Sequence, residues 1–79
     1  MTATELRIVE KLTECHRAAK ALFGDRFDDL VEPYIDILRQ AQRGSGKPLM
    51  LVVSRFLERA EGMQAMMFCA AACEISYEQ

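Results

Sequence analysis

Met63-Gln-Ala-Met-Met-Phe-Cys-Ala-Ala-Ala-Cys73 decides how this chain folds, because it is apolar on every side of a helix except at Gln64. A helix that is hydrophobic all round cannot stand in water on any face. Two questions follow: what covers it, and whether it continues the amphipathic segment before it. That segment carries Leu49, Val53, Phe56 and Ala60 at alternating steps of four and three, and Met63, Met67 and Ala70 extend the same seam. The register crosses Gly62 unbroken, which predicts one helix over about residues 48–77, roughly 45 Å long, with Gly62 as a weak point costing about 1 kcal/mol relative to alanine. The alternative is a break at Gly62 and a four-helix arrangement.

Working back toward the N-terminus, Arg43-Gly-Ser-Gly-Lys-Pro48 has the look of a phosphate loop. It fails as one. Ala41 stands where the first glycine must turn the chain, Pro48 stands where a magnesium-binding hydroxyl must follow lysine, and no strand precedes it. The stretch reads as a helix terminator, a connector and a proline at the start of the next helix.

Before it, Phe27, Leu30, Val31, Tyr34, Ile37, Leu38 and Ala41 hold one helical phase from Asp25 to Arg43, through Pro33. The proline predicts a kink or a fresh start without moving the apolar stripe. Acids at the start (Asp25, Asp28, Asp29, Glu32) and bases at the end (Arg39, Arg43) complement the helix dipole. The first segment opens on Thr2 and Glu5, spaced as a capping box. It carries Ile8, Leu12, Cys15, Ala19 and Leu22 inward with Val9, His16 and Phe23 beside them, and stops at Gly24.

No segment alternates with period two, so the expected fold is all-α: a single domain over 1–79, a small antiparallel bundle of three helices at about 2–23, 25–43 and 48–77. A chain of 79 residues is near the lower limit at which one core suffices. At 51% hydrophobic and 28% charged it has the apolar surface to fold. Ten bases against twelve acids provide no overall positive field for nucleic acid or an anionic membrane. Three cysteines without disulfide spacing, and no apolar leader, point to the cytoplasm.

Candidate chemistry is sparse. On a helix Met66, Cys69 and Cys73 fall in one line, and soft thioether and thiolate donors suit monovalent copper or, with His16 and Cys15, zinc. The spacing lacks the paired cysteines of zinc motifs, and the simpler reading is core packing. No nucleophile or acid is spaced to make His16 a general base, so no catalytic residue, enzymatic activity or cofactor is assigned. Asp28, Glu32 and Asp36 form an outward row that is either a solvated face or a docking surface for a basic partner.

The function these features imply is a small helical interaction module that self-associates and binds a protein partner, with a soft-metal or thiol-redox protein as the alternative. In a three-helix chain the last turns of so long a helix extend past the other two, leaving at least one of its apolar faces without a neighbour. Met63, Met66, Met67, Phe68, Ala70 and Ala71 are therefore expected at a homodimer interface, the alanines permitting close approach across a two-fold axis.

Overall fold

The structure, a computed structural model, describes residues 2–78 and is all-α, as the patterning predicts. Helix α1 spans Ala3–Phe23, a single 3₁₀ turn at Gly24–Arg26 leads into α2 at Phe27–Ser45, and α3 (Leu49–Leu57) and α4 (Met63–Glu78) follow. Thr2 caps α1, its Oγ1 accepting from the Glu5 amide at 3.1 Å. Helix α2 runs through Pro33 without interruption and ends two residues later than expected, where Gly46 takes the left-handed conformation (φ 67°) and its N–H donates to the Gln42 carbonyl at 2.8 Å. Pro48 takes the N-cap position of α3, one residue earlier than the first-turn site read from sequence, with its carbonyl accepting from Leu51 and Val52.

The single helix expected over 48–77 is two helices. Gly62 adopts φ 58°, a left-handed conformation that stops a continuous helix, and the chain turns between Leu57 and Met63. The longest dimension of the fold is 32 Å, shorter than that helix would be. Interrupting it forfeits up to four backbone hydrogen bonds, each worth about 1 kcal/mol net. Folding back buries Met67, Phe68 and Ile75, at about 1.5–3 kcal/mol per large side chain. Burial outweighs the lost bonds, so the four-helix arrangement prevails.

The consequence is a central α4 that packs against each of the other three helices. Every residue from Met67 to Cys73 is buried, and so is Ile75. Ala70, Ala71 and Ala72, buried in the same core as Ala19, lack the bulk to hold neighbouring helices apart. The first two helices, expected to pack as antiparallel neighbours, touch each other little and pack mainly on α4. Phe68 sits between two rings, edge-on to Tyr34 with centroids 5.0 Å apart and stacked on Phe56 at 4.9 Å.

Some side chains predicted to face inward do not. In α1 the core takes Leu12, His16 and Ala19, while Ile8, Val9 and Leu22 stay exposed because α4 covers only the middle of the stripe. In α2 Ile37 is 41% exposed and Ile35 packs on the core in its place.

Candidate functional site

Among the described residues, chemistry-bearing side chains meet at the seam between α1 and α4 and in a groove between α2 and α3.

The α1–α4 seam gathers all three thiols. Cys69 and Cys73 are buried beside Leu12, with Cys15 packed against them. Met66 is not with them; it is half-buried against the main core. His16 turns to another partner: its Nε2 lies 3.1 Å from Glu74 Oε1. Since a carboxylate oxygen accepts, Nε2 carries the hydrogen. Phe27 and Tyr77 present their faces or edges to the imidazole at 5.6 and 5.4 Å between centroids. Among the described residues no group of three or more histidine, cysteine or acidic side chains is arranged to hold a metal ion.

Electrostatics at this seam favour neutral thiols. Burial pushes Cys69 up to about 12, aided by the neighbouring thiols of Cys15 and then Cys73. Burial likewise raises Cys73 to about 11, with Cys15 and then Glu74 adding to it. Metal ligation and nucleophilic attack both require the thiolate. Here it forms only well above neutral pH, so both thiols are protonated at neutral pH where they lie buried beside Leu12.

The residues expected at a dimer interface are divided by the fold. Met67, Phe68, Ala70 and Ala71 are buried inside the chain's own core, Met66 is half-buried, and Met63 alone is well exposed, at 59%. The faces of α4 that sequence leaves without a neighbour are covered by α1, α2 and α3.

The second place is an open groove of about 730 Å³ between the C-terminal end of α2 and α3. Ala41, Val52 and Phe56 form its apolar wall, and Ser45 lies at the α2 end. Lys47, Arg55 and Arg59 line it with one acid, Glu58. Thus three of the chain's ten bases stand against one of its twelve acids. Arg55 and Arg59 are neighbours on α3 and the turn after it, and Lys47 reaches the groove from the connector, where its amide is held by Ser45 Oγ at 3.2 Å. These three cations make no ion pair with another described residue.

Sequence reasoning missed this groove. Lys47, Arg55 and Arg59 are spread over 13 positions, and only the packing of α3 beside the end of α2 brings them together. The charge polarity of α2 supports the helix dipole, and its acidic row also suits a docking surface for a basic partner, but neither reading brings Lys47, Arg55 and Arg59 together. Among the described residues no helix is long and apolar enough to cross a membrane. No protein-family model, no curated protein and no solved structure matches this chain, so its functional reading rests on this geometry.

Proposed function

We propose that this chain is a non-catalytic protein–protein interaction module whose α2–α3 groove receives an acidic, amphipathic helical segment. The observation that carries the proposal is the pairing of an apolar wall with three cations that make no ion pair among the described residues, on a chain whose net charge is −2. A volume of about 730 Å³ is in the range of formed binding clefts and accommodates a few side chains of one helix face. The wall supplies affinity by burying apolar contacts. The cations select for carboxylates on the flank of the incoming helix and speed its encounter. The potential nucleophiles in the lining are Ser45, Lys47 and Glu58, with no histidine among the lining residues to activate them, which supports binding over catalysis.

The test is fluorescence anisotropy with a labelled peptide of roughly 18 residues, or five helical turns, carrying leucines on one face and glutamates on the other. Binding should be saturable, weaken as salt rises through the range that screens exposed charges, and fall at least tenfold in R55E/R59E. A lysine-flanked version should bind much more weakly. Equal binding of both peptides, or of wild type and variant, would overturn the reading.

A further inference from the structure

We propose that the acidic helix this groove accepts is α2 of a second copy of the same chain, so that two protomers pair through α2 about a two-fold axis near Ile37. The inference rests on the groove reading above and names its partner.

Charge segregation along α2 is the first support. Asp28, Asp29 and Glu32 are exposed on its N-terminal half, with Asp36 near the middle, and the groove with Lys47, Arg55 and Arg59 flanks its C-terminal end. Laid antiparallel against itself, such a helix sets its acidic half over its partner's basic end twice, once at each end of the interface. A two-fold axis requires this self-complementarity. A purely dipolar helix with its bases scattered on other faces would not provide it.

Register is the second. Ile37, Ala41 and Ser45 lie on one line of α2 at steps of four, and Ala41 and Ser45 already line the groove. The same line continues backward through Pro33 to Asp29, both exposed. With Ile37 on the axis, Ala41 lies opposite the partner's Pro33 and Ser45 opposite the partner's Asp29. This brings the partner's Asp29 and Glu32 to the mouth lined by Lys47, Arg55 and Arg59. Ile37, exposed by 41% against the apolar phase of its own helix, gains a neighbour at the centre.

The apolar surface in that strip is the third. Leu51, 54% exposed, stands one helical turn before the groove's Arg55 on α3. Ile37 and Leu51 would flank the incoming helix while Ala41 and Phe56 form its bed. A strip this narrow falls at the low end of interface sizes, below about 1,200 Å² in total, where complexes exchange quickly. The dimer is therefore expected to depend on concentration and on salt.

Light scattering during size exclusion provides the test. At low salt the mass of the full chain should rise from 9.0 kDa toward twice that value as concentration increases through the micromolar range, and return to 9.0 kDa in high salt. Arg55→Glu with Arg59→Glu should be monomeric, and so should Asp29→Lys with Glu32→Lys, each keeping the helical circular dichroism of the parent. Mixing these two variants is the decisive step. In a two-fold pairing both contacts of the mixed dimer are oppositely charged, so the mixture should recover the dimer mass that neither variant reaches alone.

A dimer that persists in both charge-reversed variants would overturn the inference, and its loss in Val9→Glu would place the interface on the exposed face of α1. A chain that stays at 9.0 kDa at every concentration while binding the acidic peptide would overturn self-pairing and leave the groove reading standing. A monomer that also ignores the peptide would remove both.

Discussion

His16 Nε2 and Glu74 Oε1, separated by 58 positions in sequence, meet at 3.1 Å and form the polar lock between the first helix and the last. The imidazole is buried and the carboxylate reaches partly to solvent. Removing the acceptor leaves a buried N–H without a partner. Glu74→Ala should cost about 1–3 kcal/mol, and Glu74→Gln, which retains an acceptor oxygen, clearly less. Urea denaturation followed by circular dichroism measures both, and equal losses for the two variants would show that the contact is not what holds the seam.

The thiols should separate into two classes. Cys15 is half-exposed, whereas Cys69 and Cys73 are buried with their ionisation pushed to about 12 and about 11. A mild alkylating agent near pH 8 should modify one thiol rapidly in the folded chain and three in urea. The linkage with stability follows in sign. Both thiols ionise at higher pH folded than unfolded, so their contribution is fully present below about pH 9, the unfolded value, and declines as pH rises toward 11–12. Urea midpoints taken between pH 8 and 10.5 should begin to fall above pH 9. In a Cys69→Ala, Cys73→Ala variant that part of the decline should disappear.

Gly62→Ala tests what separates α3 from α4. A Cβ there meets no atom within 4 Å, so the cost is conformational: about 1–2 kcal/mol to hold an alanine at φ 58°. A neutral or stabilising result would mean that the chain can reconnect the two helices, and helicity would rise with it.

Pro33→Ala should change stability by less than about 1 kcal/mol. The substitution restores a backbone donor in a helix that already runs through position 33, and it loosens the unfolded chain. A loss above about 2 kcal/mol in chemical denaturation would show that the proline shapes the packing of α2 on α4.

Phe68 distinguishes core from interface. Stacked on Phe56 and edge-on to Tyr34 within one chain, it should cost about 3–5 kcal/mol when cut to alanine, and Phe68→Glu should unfold the protein. A folded monomeric Phe68→Glu would instead mean that this side chain faces a partner.

The sequence by itself determined the helical class and most of the local punctuation. Those features depend on residues a few positions apart: Thr2 with Glu5, the apolar steps of α2, and a terminator within residues 43–48, which the structure places at Gly46, after a helix that ends two residues later than expected. It also held the decisive fact that residues 63–73 are apolar on nearly every side. What it could not decide was who covers them. Continuous register across Gly62 favours one helix, and a sum over local preferences has no means to weigh four hydrogen bonds against the burial of Met67, Phe68 and Ile75. Only the tertiary structure makes that comparison, and it turns the last helix inward, so that Met67, Phe68, Ala70 and Ala71 become core. For the same reason the meeting of Cys15 with Cys69, of His16 with Glu74, and of Lys47 with Arg55 and Arg59 belongs to the fold. Each is a contact between helices, set by which faces α4 leaves for the others to occupy.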